Sequence, residues 1–109
     1  MATPERIYDE LVSLRRAIAT GKLFASLEGH KAFQEVILKG YLEEEALTLV
    51  RALGSPLNGP VERQEIQRKL DAIGIFANYL QRVREEAEMA QAGLPETERI
   101  FEELHAERL

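Results

Sequence analysis

The chain has 109 residues, no cysteine, no tryptophan and a formal net charge of −5, and 45% of its residues are hydrophobic. Those figures allow one modest domain, separate the chain from disordered sequences, and exclude disulfides, thiolate nucleophiles and Cys-type zinc sites. Leu, Ile, Val and Ala must fill most of the core, and the acidic balance disfavours general phosphate binding.

The first predicted helix covers 1–22. Thr3 can cap it, Pro4 suits the first helical position, and Glu5 favours the positive end of the dipole. Ile7, Leu11, Leu14 and Ile18 then recur at helical spacing, and Gly21 offers a left-handed stop. Leu23, Phe24 and Leu27 follow as a buried elbow beside Ser26 and Gly29.

A second helical region runs from about Ser26 or His30 to Leu53. Phe33, Val36 and Ile37 share one face, whereas Leu42, Ala46, Leu49 and Leu53 share another, displaced by one residue. Gly40 stands at the change of phase, and a mid-helix glycine costs roughly 1 kcal/mol relative to alanine. The expectation is a kink or a break at Gly40, with Glu43, Glu44 and Glu45 in the first turn of the second piece. Gly54 to Pro60 is rich in breakers and reads as a loop.

The longest predicted element is a helix of about 60–92, opened by Pro60 and closed by Gly93-Leu94-Pro95 in a Schellman-type ending. It would span about 50 Å at 1.5 Å per residue. Ile66, Leu70, Ile73, Ala77, Leu80 and Ala87 form its apolar stripe. Gly74, inside it, could admit a second backbone or mark a bend. A short acidic helix over 94–109 carries Ile100, Phe101 and Leu104. Over half the net charge sits in that final segment, where Glu96, Glu98, Glu102, Glu103 and Glu107 outnumber Arg99 and Arg108.

The expected fold is therefore all-α. A small helical bundle is built on an antiparallel hairpin, Leu42–Leu53 against Ile66–Val83, within a single domain whose hairpin core covers 26–92. No apolar run approaches the ~18 residues of a membrane span, and MATPERIYDE is too polar for a secretory signal.

Candidate chemistry is sparse. His30 and His105 stand far apart, without the spacings of helical metal sites. The three adjacent glutamates diverge by about 100° per residue around a helix and cannot converge on one site. Ser13, Ser26 and Ser55 lack a nucleophile signature, and Gly54 and Gly59 lack the Lys-Ser/Thr of a phosphate loop. Arg15-Arg16 and Arg68-Lys69 are interleaved with acids, as on a solvated helix face. The residues assign no catalytic group, cofactor or metal ligand.

One resemblance extends over nearly half the chain. Between Phe33 and Tyr79 the pattern Phe-x-x-Val-Ile-x-x-Gly-Tyr-Leu-x-x-Glu-Ala precedes Leu-Val-Arg-Ala-Leu. After the loop come Arg63, Ile66, Leu70 and Asp71-Ala-Ile-Gly-Ile-Phe-Ala-Asn-Tyr-Leu. This resembles small helical proteins encoded among the head and virion-assembly genes of tailed bacteriophages. The resemblance implies a non-enzymatic structural or assembly role in the virion or the bacterial host cytoplasm, and it transfers no ligand residues.

The expected partners are other virion or assembly proteins and a second copy of the chain. The contact is expected along the surplus apolar length of the long helix and on the last helix, at Leu80, Val83, Ala87, Ala90, Ile100, Phe101 and Leu104. Gly40 and Gly74 are expected to serve helix packing. Two rivals are a helical regulator of a host protein, whose acidic C-terminal helix imitates nucleic acid, and a small DNA-packaging adaptor, which the acidic balance disfavours.

Overall fold

The computed structural model describes residues 3–107. They are all-α: α1 (Pro4–Glu28), a short α2 (Lys31–Phe33), a π-helix (Gln34–Glu45), α3 (Ala46–Leu53) and α4 (Pro60–Glu107), with no strand among the described residues. None of the described helices is long and apolar enough to cross a membrane. The contacts divide the chain into two compact units. Unit 1 pairs the first helix, up to residue 25, with residues from 82 onward, and unit 2 comprises Ser26–Gln81.

In unit 1, α1 begins where its capping residues place it. Thr3 Oγ1 accepts the Arg6 amide at 3.2 Å, and the Thr3 carbonyl accepts the Ile7 amide at 3.0 Å. The helix does not stop at Gly21 but continues to Glu28. No glycine among the described residues has a positive φ, so Gly21 is an ordinary helical residue. Its value is steric: a Cβ there would overlap Ala87 Cβ and stand 3.7 Å from Ala87 Cα. The missing side chain lets α1 and α4 approach closely, which offsets the poor helix propensity of glycine.

The two helices of unit 1 run antiparallel. Tyr8 lies against Phe101, Gly21 against Ala87, and Phe24 beneath the Arg84 guanidinium, so rising numbers in α1 meet falling numbers in α4. Both helices carry a repeat every four and three residues. Ile7, Leu11, Leu14, Ile18 and Gly21 form it in α1, as do Val83, Ala87, Ala90, Leu94, Thr97, Phe101 and Leu104 in α4. All of these are buried or half-buried, and Leu11 is only 1% exposed. That period is the signature of a helix pair packed along a seam.

The same seam explains why Gly93-Leu94-Pro95 fails to end α4. Pro95 lies inside the helix, which runs to Glu107. An interior proline removes one backbone hydrogen bond and costs about 3 kcal/mol. Stopping there would uncover Thr97, Phe101 and Leu104, all on the buried side. Thr97 is buried, and its hydroxyl donates to the Gly93 carbonyl at 3.2 Å, bridging the turn that contains the proline.

Unit 2 is an αα-hairpin. The chain from Lys31 to Leu53 is helical throughout, turns over 54–59, and returns in α4. Tyr41 meets Phe76 edge-on at 6.0 Å between ring centroids, and Leu49 and Ile73 are buried. The loop is held by its own polar groups. Asn58 Nδ2 donates to the Ala52 carbonyl at 2.6 Å, Arg63 Nε donates to the Asn58 carbonyl at 3.2 Å, and the Gly59 carbonyl accepts the Arg63 amide at 3.0 Å. At the start of the unit, Gln34 Nε2 donates to the Glu28 carbonyl at 2.6 Å, closing the end of α1.

No break occurs at Gly40. The residues bounding the π-helix, Phe33, Gln34, Glu45 and Ala46, all keep right-handed helical dihedrals. The wider turn, with hydrogen bonds from i to i+5, takes up the one-residue phase displacement between Phe33/Ile37 and Leu42/Ala46/Leu49 without interrupting the helix. It also brings the Glu35 carbonyl beneath Gly40, where a Cβ would stand only 3.0 Å from the oxygen. Glu43, Glu44 and Glu45 therefore end a π-helix instead of opening an α-helix.

Candidate protein-interaction surface

The residues expected to receive a partner are covered by the chain itself. Ala87 and Ala90 are buried, and Val83, Ile100, Phe101 and Leu104 are half-buried in the seam of unit 1. Leu80 is half-buried in unit 2. In unit 1, α1, longer than expected by passing through Gly21, lies along this stripe, with Gly21 against Ala87. Gly74 has a different setting. It is exposed, and a Cβ there would meet nothing within 4 Å, so it brings no second backbone close within this chain. Gly40 packs against the turn of its own helix.

The uncovered apolar side chains lie elsewhere. In unit 2, α4 exposes Val61 (76%), Ile75 (71%) and Tyr79 (48%), and Val36, Leu47 and Val50 are exposed on the opposite arm of the hairpin. Val61, Glu65, Arg68, Ala72, Ile75 and Tyr79 repeat at four-three-four-three-four spacing. At 100° per residue this second stripe points nearly opposite the inner stripe of Ile66, Leu70, Ile73, Ala77 and Leu80. Glu65 and Arg68 pair within it at 3.6 Å. Helix α4 in unit 2 is thus amphipathic twice over. One stripe closes the hairpin, and the other meets solvent.

In unit 1 a groove of about 370 Å³ is lined by Pro4, Glu5, Tyr8, Asp9, Phe101 and His105. The Tyr8 and Phe101 rings are 6.4 Å apart, and His105 stacks on Phe101 at 6.2 Å with 11° between planes. These rings close the end of the seam. Among the described residues no three metal-ligating side chains cluster, and no buried side-chain polar atom lacks a hydrogen-bond partner.

The acidic terminal segment is internally compensated. Arg99 donates through Nε to Glu96 at 3.1 Å, and its terminal nitrogens reach Glu96 and Glu103. The hydrogen bond from Arg99 holds the Glu96 carboxyl below its ordinary value of 4.5. The hydrogen bond to Glu96, with the nearby Glu103 charge, raises Arg99 in turn. Part of the acidity of this segment is compensated by these pairs.

No protein-family model matches the chain, and neither the curated proteins nor the solved structures compared with it contain a significant match.

Proposed function

We propose that this chain is a non-enzymatic protein-interaction protein, a small structural or assembly component of a tailed-phage virion whose partners are other particle proteins and itself. The observation that carries the interaction role is the outer stripe of α4, with Val61 and Ile75 more than two-thirds exposed although the inner stripe already closes the hairpin. Apolar side chains at seam spacing on an otherwise solvated helix face are a cost unless something covers them. The virion role is supported by the phage-like pattern, whose stretch Phe33 to Tyr79 lies wholly within unit 2.

The test is peptide mass spectrometry of density-purified particles, with infected-cell lysate as the control. Stoichiometric recovery from particles is the expected result. Abundance in lysate with absence from particles overturns the virion role and leaves a departing assembly factor or a host regulator.

A further inference from the structure

We propose that the groove at the end of the unit 1 seam holds an arginine side chain from a basic segment of a partner protein. The proposal rests on the interaction role above and adds to it the chemistry of one partner.

The first support is charge complementarity. Residues 4–10 carry three carboxylates against Arg6, and residues 96–107 carry five against Arg99. The antiparallel packing of α1 on α4 brings both segments to one end of unit 1, where Tyr8 meets Phe101. With histidine counted neutral they bring −2 and −4 together, in a chain whose net charge is only −5. Glu5 and Asp9 stand on the wall of the groove itself. A recess lined by charge of one sign focuses the field and draws in the opposite charge.

The second support is the form of the groove, which selects among cations. Its volume of about 370 Å³ suits one long side chain and is too small for a docked helix. Its lining includes the rings of Tyr8 and Phe101, and Tyr8 is 55% exposed. A ring face attracts a cation laid over it. A guanidinium is planar, so it can lie on a ring while its edge N–H groups donate to carboxylates alongside. A lysine ammonium is a compact, strongly hydrated charge without that flat face. The same unit already contains such a contact, with the Arg84 guanidinium 5.7 Å from the centroid of the Phe24 ring. Among the described residues no three metal-ligating side chains cluster, so the carboxylates of the groove suit an organic cation better than a metal ion.

The experiment titrates the full chain, labelled with nitrogen-15, with two capped peptides followed by amide NMR shifts. One peptide alternates glycine with arginine, and the other alternates glycine with lysine at the same length and charge. The arginine peptide is expected to bind at least about 3-fold tighter. Its shifts should concentrate around Tyr8, Asp9, Phe101 and His105.

Three variants separate the groove from the general field. Asp9→Asn and Glu10→Gln each remove one exposed charge at the same end, but only Asp9 lines the groove. The loss of arginine-peptide affinity should be at least about 3-fold greater for Asp9→Asn. Tyr8→Leu removes the ring and should weaken binding by a similar factor. Far-UV circular dichroism should be unchanged in all three, because each side chain is exposed.

Equal affinity for the two peptides, shifts spread over the whole acidic surface, or equal losses at Asp9 and Glu10 would each overturn the proposal. So would the absence of binding at millimolar peptide. None of these results bears on recovery from particles, so failure of the groove and failure of the virion role are distinguishable.

Discussion

The two units use the same long helix in different ways. In unit 1, residues 83–104 of α4 present one stripe, and α1 covers it with a matching four-three repeat and a glycine at the closest approach. In unit 2 the opposite arm of the hairpin is part π-helix, and α4 carries a second stripe on which Val61 and Ile75 are exposed. Unit 1 is thus closed along its seam by its own sequence. Unit 2 is closed on one side only, and that difference points to it as a place where another protein is met.

Glycine substitutions separate the two regimes most sharply. Gly21→Leu should be among the most disruptive single changes, because overpacking a tight helix contact costs about 1–3 kcal/mol or more and even a Cβ at this position overlaps Ala87. Urea unfolding should show a lower midpoint and loss of the Tyr8–Phe101 contact. Gly74→Ala should do the opposite. With nothing within 4 Å of the new methyl group, it should stabilise the helix by roughly 0.5–1 kcal/mol. A destabilised Gly74→Ala would show that a backbone does approach there.

Leu11→Ala should be of comparable size, at about 2–4 kcal/mol from a lost buried side chain and the cavity it leaves. Pro95→Ala tests the continuity of α4. Restoring the missing amide should stabilise unit 1 by about 1–3 kcal/mol if the proline is a tolerated defect. A loss of stability would instead mean that the helix is shaped around it.

The smallest effect is the pH dependence carried by Glu96. Its carboxyl is held below 4.5 by the hydrogen bond from Arg99. The folded state therefore binds that proton less readily than the unfolded chain. The contribution is fully present above 4.5 and fades as pH falls through the lowered value. The pair is exposed, so salt should screen it. Arg99→Gln should remove this dependence from thermal melts between neutral and acidic pH.

What was legible in the sequence was local. Thr3-Pro4, the breakers of 54–59 and Pro60 specify their own ends through caps and turns, and the structure places those ends accordingly. Gly21 and Gly93-Leu94-Pro95 carry the same kind of signal, yet burial on both sides of each overrides it. The π-helix left one trace, the phase displacement at Gly40, but a kink explains that trace equally well.

The candidate interaction residues pose a related problem. A stripe of Leu80, Val83, Ala87 and Ala90 reports that something covers it and does not say what. Within unit 1 the approach of Gly21 to Ala87 shows that α1 lies along it. The outer stripe was hidden because Glu65 and Arg68 interrupt it, and only the exposures of Val61, Ile75 and Tyr79 bring it out.

The most direct test compares two single-cysteine variants of the cysteine-free chain, Ala87→Cys in unit 1 and Ile75→Cys in unit 2, by their rates of thiol alkylation across protein concentration. The Ala87→Cys thiol should be protected at every concentration, because α1 covers it within the same chain. The Ile75→Cys thiol should react freely when dilute and become protected as a second copy covers it. Fast alkylation of Ile75→Cys independent of concentration, or ready labelling of Ala87→Cys, would contradict the division between a closed unit and an open one.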